Sequence, residues 1–105
     1  MKVLKSGHYY ELANFEADLP ELNQRLQFIE KVQTELNPTK LVTVNDGTTN
    51  EEVLRVLIDR MQYLQSKFAC RENALVITKL EEALMWLEKR TADRKARNVE
   101  GKHVA

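Results

Sequence analysis

From Cys70 to Arg97 the chain runs without a glycine or a proline, through residues dominated by good helix formers. Leu80, Leu84 and Leu87 fall on one stripe of a 3.6-residue repeat, with Ile77 a turn before them. The spacing predicts one long helix, which at about 1.5 Å per residue reaches roughly 40 Å. Its first half is apolar on more than one side, because Val76, Ala83 and Met85 stand beside the leucine stripe. Its last turns carry Lys89, Arg90, Arg94, Lys95 and Arg97 against a single Asp93. A helix of this kind needs a second apolar surface to cover it. A chain of 105 residues has room for one core but not for two good ones, so a single domain is expected, with the helices finishing their burial against copies of the same chain.

The first cover for the long helix is predicted just upstream. Thr49-Asn50-Glu51-Glu52 has the form of a capping box, and Leu54, Leu57, Ile58, Met61, Leu64 and Phe68 then recur at intervals of three and four. Phe68-Ala69-Cys70 breaks the pattern, so the two helices are expected to fold back as an antiparallel pair, the second outrunning the first. Before them, residues 8–16 combine aromatics with a loose polar and apolar alternation, and Lys40–Val44 is β-branched and closes at the turn residues Asn45-Asp46-Gly47. Residues 23–36 stay open: Leu26, Ile29 and Val32 share a helical face, whereas Arg25-Leu26-Gln27-Phe28 alternates as a strand does. Asn37-Pro38 is a turn signal. The expected architecture is α+β: a small N-terminal antiparallel β-sheet over residues 1–47, a C-terminal antiparallel two-helix hairpin over residues 48–100 that oligomerises, and a tail over residues 101–105.

Charge and composition narrow the function. Sixteen basic and sixteen acidic residues give a formal net charge of zero, which disfavours generic binding to duplex nucleic acid and makes any anion site local. No apolar run approaches the roughly 20 residues of a membrane span, and Met-Lys-Val-Leu-Lys is not followed by a signal-peptide core, so a soluble protein kept in the compartment of its synthesis is expected. The lone Cys70 excludes an internal disulfide and a cysteine-cluster zinc site. His8 and His103 stand apart from any ligand or triad spacing, and the only glycines, Gly7, Gly47 and Gly101, form no phosphate loop. No catalytic residue, metal ligand or cofactor is expected, and Glu81, Glu82 and Glu88 read as a solvated, charge-paired helix face.

The basic end of the long helix is the candidate site. Arg90 and Arg94 are four apart, so both guanidiniums project from one face and can grip a phosphate or pyrophosphate together. Cations near a helix C-terminus are also favoured by the macrodipole without any ligand, and spacing alone leaves both readings open. Trp86, Tyr63, Tyr9 and Tyr10 could stack on bases. At helical spacing from Leu80 and Ala83, however, Trp86 reads more readily as core.

The segment Cys70–Trp86 resembles the helical hairpin of phage anti-defence nucleotide sponges. Arg71-Glu72, Thr78, Leu80-Glu81, Ala83 and Met85-Trp86 match the pattern shared by the anti-CBASS and anti-Thoeris sponges. Tyr-Glu-Leu-Ala-Asn-Phe-Glu near the start, Asp-Gly-Thr-Thr-Asn-Glu-Glu-Val-Leu before the first helix, and Lys-Arg-Thr-Ala-Asp-Arg-Lys-Ala-Arg-Asn-Val-Glu-Gly at the end look closer to the anti-Thoeris branch. The resemblance implies a non-enzymatic oligomer, dimer or hexamer, that sequesters immune second messengers in the cytoplasm of the infected bacterium. Those messengers would be cyclic ADP-ribose isomers and, at separate sites, cyclic di- or trinucleotides. It implies Arg90 and Arg94 as phosphate ligands, Asn73 and Tyr63 as polar and stacking partners, Arg71 and Thr78 as a cyclic-oligonucleotide site between subunits, and a strand from Arg25 to Val32. The competing classes are a small phage nucleic-acid-binding protein and a structural oligomerisation module without a ligand.

Overall fold

A computed structural model describes residues 1–36 and 40–97. The fold is α+β, with five short strands followed by two helices. Its contacts divide into two compact units, Met1–Thr49 and a helical unit that begins at Asn50.

The β unit departs from the single sheet expected. It holds a three-stranded antiparallel sheet of β1 (Lys2–Lys5), β2 (Tyr9–Leu12) and β3 (Gln24–Gln27), and a separate antiparallel pair of β4 (Glu30–Gln33) and β5 (Leu41–Asn45). The strand expected over residues 8–16 is confined to Tyr9–Leu12, and β1 was not anticipated because four exposed residues carry no alternating burial signal. The open question at residues 23–36 is answered in favour of strand, as the family resemblance implied, but as two strands, β3 and β4, where one from Arg25 to Val32 was expected. This segment changes partner midway. Its first half aligns Tyr10 with Leu26 and Glu11 with Arg25, and its second half aligns Val32 with Val42.

The change of partner happens at Phe28 and Ile29, where Thr48 comes alongside. Ile29 donates its N–H to the Thr48 carbonyl and Thr48 donates to the Gln27 carbonyl, both at 2.9 Å, and Phe28 pairs as an isolated parallel bridge with Thr48. Gly47 is what permits this approach. A Cβ there would lie 2.5 Å from the Gln27 carbonyl oxygen. Gly7 serves differently: its φ of +75° closes the turn in which His8 N–H reaches the Lys5 carbonyl at 3.0 Å.

Side chains then tie the two sheets together. Phe28 packs edge-on against Tyr10, with ring centroids 6.0 Å apart, and Lys5 Nζ donates to both Glu30 carboxylate oxygens at 2.7 Å. Asn45 Nδ2 adds a third contact to Glu30 at 3.3 Å, so this buried carboxylate joins β1, β4 and β5. The Lys5 hydrogen bond, with smaller help from Asn45 and His8, holds the Glu30 pKa below the usual carboxylate value, against burial that pushes it up.

The helical unit follows the expected plan closely. Helix α1 spans Asn50–Lys67, starting one residue after the predicted cap Thr49, and α2 spans Arg71–Ala96, flanked by Cys70 and Arg97 as its caps. The Gln65 amide closes the turn between them from both sides, donating to the Cys70 carbonyl and accepting from the Cys70 N–H at 3.1 Å. At the open end Arg55 reaches Glu88 at 3.3 Å, which fixes the helices as antiparallel. Five residues of α1 precede Arg55 and eight of α2 follow Glu88, so α2 overhangs as anticipated.

Along the facing stripes Leu54, Ile58, Met61, Leu64, Ile77, Leu80, Leu84 and Leu87 are half-buried. Two members of the expected α1 stripe do not join them: Leu57 sits at its edge, and Phe68 lies past the last turn and is 85% exposed. Among the described residues no apolar side chain is fully buried, because two helices can cover only one face of each other. Leu75, Val76 and Met85 on α2 and Val56 on α1 stay exposed, as the two-sided pattern required. The turn expected at Asn37-Pro38, the stop signals Asn98–Gly101, His103 and the tail lie outside the described residues.

Candidate functional site: a cationic hollow on the second helix

Trp86, Lys89, Arg90, Asp93, Arg94, Ala96 and Arg97 line an open hollow of about 510 Å3. Every one of these residues belongs to the last turns or the C-cap of α2, so the hollow has one described wall. Four cations face one carboxylate, and Asp93 is already held by Lys89 at 2.9 Å, one helical turn away. Arg90, Arg94 and Arg97 line the same hollow, and their planar forks suit paired phosphate oxygens better than a lysine does.

The two arginines differ in setting. Arg90 is exposed, whereas Arg94 is 7% exposed, the one helical residue counted as buried, and has interactions of its own. A buried guanidinium engaged by neighbours is fixed in place, and an exposed one a turn earlier can swing to close on a ligand. Lys95, about 100° around the helix from Arg94, does not line the hollow.

Trp86 was expected in the core and is not there. It is 57% exposed and forms the N-terminal end of the hollow, one turn before Arg90. A signal existed in the sequence: Trp86, Arg90 and Arg97 follow one another at helical spacing on a face distinct from the Ile77–Leu80–Leu84–Leu87 stripe.

The remaining candidates are elsewhere. Tyr63 is 56% exposed near the end of α1, with Lys67 Nζ 5.4 Å from its ring centre, and Asn73 lies in the first turn of α2, its N–H on Cys70 Sγ at 3.4 Å. Asn73 precedes Arg90 by seventeen residues, roughly 25 Å along a continuous helix. One chain thus does not bring these two groups to one small ligand. Arg71 and Thr78 share the exposed start of α2 at a spacing of seven, two turns apart on one face, with Thr78 Oγ1 donating to the Ala74 carbonyl at 3.1 Å.

Elsewhere the described residues offer little chemistry. They contain no cluster of three or more histidine, cysteine or acidic side chains able to hold a metal, and no helix long and apolar enough to cross a membrane. Glu88 is paired with Arg55, in keeping with a solvated face.

A helical hairpin with these residues invites comparison with known families. The description of the Acb2/Tad1 hairpin domain matches residues 25–92, from β3 through most of α2. The chain belongs to the Acb2/Tad1 hairpin family. The family match takes in Tyr63, Arg71, Asn73, Thr78 and Arg90 and stops two residues before Arg94. Among individual proteins, Thoeris anti-defense 1 of Bacillus phage SBSphiJ7 is 54% identical over a match that covers 61% of this chain. The match spans 54% of that protein, about half its length. The sponge resemblance carried by the hairpin residues, and its anti-Thoeris leaning, are thereby supported at the level of family.

Proposed function

We propose that this chain binds a cyclic ADP-ribose isomer without altering it, withholding the messenger from the bacterial Thoeris effector that would respond to it and so protecting a phage in the cytoplasm of its host. The observation that carries this reading is the hollow in which Arg90 and Arg94 stand together, in a chain of the Acb2/Tad1 hairpin family with a relative named Thoeris anti-defense 1. A cyclic ADP-ribose carries a pyrophosphate, and two guanidiniums a turn apart offer it several charge-assisted hydrogen bonds. A sponge needs a charge-matched site and no reacting group, and it acts without catalysis or cofactor.

The one-walled hollow and the roughly 25 Å between Asn73 and Arg90 support a site completed by a second copy, in which Tyr63 and Asn73 of one protomer approach Arg90 and Arg94 of another. The exposed Leu75, Val76 and Val56 supply apolar surface for that association, as a dimer or hexamer. On the same reading Arg71 and Thr78 hold a cyclic di- or trinucleotide at a second site between subunits.

Calorimetry against a panel of cyclic ADP-ribose isomers and cyclic di- and trinucleotides tests the reading. Tight binding with intact ligand recovered after denaturation is expected. A chemically changed ligand would make the protein an enzyme, and binding only to bulk DNA with a steep salt slope would make it a nucleic-acid-binding protein. Light scattering at micromolar concentration is expected to give a multimer, and a monomer would remove the second copy from the site.

A further inference from the structure

Trp86 is the one tryptophan of the chain, and it stands more than half exposed at the edge of the arginine hollow. A large aromatic left in water forfeits the burial that normally places it inside, and here neither α1 nor the leucine stripe of α2 covers it. The first arginine along the same face is Arg90, four residues or about 6 Å further along the axis. An aromatic plane one helical turn from a guanidinium has the layout of a nucleotide, in which a flat base is joined through a ribose to a phosphate.

We propose that Trp86 is the base-stacking wall of this site, so that the hollow selects a purine nucleotide over a bare pyrophosphate or a sugar phosphate. This rests on the messenger-binding reading and deepens it. The arginines recognise charge, which every phosphate ester shares, whereas the indole face recognises an aromatic base. Cyclic ADP-ribose carries a single purine, and Trp86 takes the face of that base turned toward α2. The stems of Lys89 and Arg90, three and four residues on from Trp86, add apolar surface on the same wall.

Because the chain has a single tryptophan, fluorescence excited beyond the absorption of its three tyrosines reports on this residue alone. The experiment titrates the full chain with each cyclic ADP-ribose isomer and, as a base-free control, with inorganic pyrophosphate, following both emission and heat. The expected result is quenching by an isomer that binds and none by pyrophosphate. Trp86→Ala should weaken the isomer by about fivefold to somewhat over a hundredfold while leaving pyrophosphate affinity unchanged, and Trp86→Phe should recover most of the loss. Circular dichroism of each variant separates a binding defect from a folding one, and the wild-type quenching result stands whether or not Trp86→Ala folds. If isomers bind and Arg90→Ala abolishes binding, but emission does not change and Trp86→Ala binds normally, the stacking wall is wrong and the sponge reading survives. Equal quenching by pyrophosphate would also overturn it, since the indole would then be sensing charge. If no isomer binds the wild-type chain, the sponge reading fails and stacking fails with it.

Discussion

Replacing Gly47 with alanine puts a methyl group 2.5 Å from the Gln27 carbonyl oxygen, 2.7 Å from the Phe28 carbonyl carbon and 2.9 Å from the Ile29 nitrogen. All three are backbone atoms, so no flexible side chain can yield, and reaching even 3.0 Å requires a shift of half an ångström. The displaced backbone is the junction where Ile29 and Thr48 exchange hydrogen bonds with Thr48 and Gln27 at 2.9 Å. Losing one or both costs about 0.5–1.5 kcal/mol each, and forcing in the methyl adds about 1–3 kcal/mol. The stiffer unfolded chain returns about 0.4–1 kcal/mol, which leaves a net loss of roughly 0.5–5.5 kcal/mol. Gly7→Ala is the control, since nothing lies within 4 Å of its Cβ and only the left-handed backbone penalises it, by about 1–2 kcal/mol. Urea denaturation followed by circular dichroism gives the stabilities, and amide exchange gives the local effect. Exchange at Ile29 and Thr48 should accelerate in the Gly47 variant and not in the Gly7 variant. A Gly47→Ala protein within about 0.5 kcal/mol of wild type, with Thr48 still protected, would refute the close-approach argument.

Three further outcomes are expected. Arg90→Ala should weaken binding of a cyclic ADP-ribose isomer by roughly tenfold to more than a hundredfold with little change in folding, Arg94→Ala should lose both affinity and some stability because Arg94 is buried and engaged, and Lys95→Ala should bind almost normally; equal losses in all three that vanish at high salt would indicate a diffuse charge patch. Glu30 has a depressed pKa in the folded state, so its contribution is complete above the unfolded carboxylate value of about 4.3 and is lost as pH falls through the folded pKa; Glu30→Gln should flatten that acid limb of the melting temperature, and an unchanged limb would sink the idea. Leu84→Ala, half-buried on the facing stripe, should cost about 1–3 kcal/mol by urea denaturation, and Leu57→Ala, at the stripe's exposed edge, distinctly less; the reverse order would mean the helix faces are misassigned.

What the sequence determined by itself is mostly local. An unbroken run of helix formers set α2 to within a residue at each end, because capping and the absence of glycine and proline act within a few residues of one another. The same is true of the start of α1 and of the pair Arg90 and Arg94, whose shared face follows from a spacing of four. Residues 23–36 were undecidable locally because Leu26, Ile29 and Val32 share a helical face while Arg25-Leu26-Gln27-Phe28 alternates as a strand does, and only partners distant in sequence, β2 for one half and β5 for the other, chose the strand. The split into two sheets hangs on Gly47 and Thr48 closing against Gln27–Ile29, a contact twenty residues apart in the chain. Tertiary structure also decided what spacing could not: that Arg94 is buried while Arg90 is exposed, and that Trp86 stands in the hollow rather than in the core. A helical pattern tells which residues share a face. Only the packing of α1 against one of those faces tells which are left to meet a ligand.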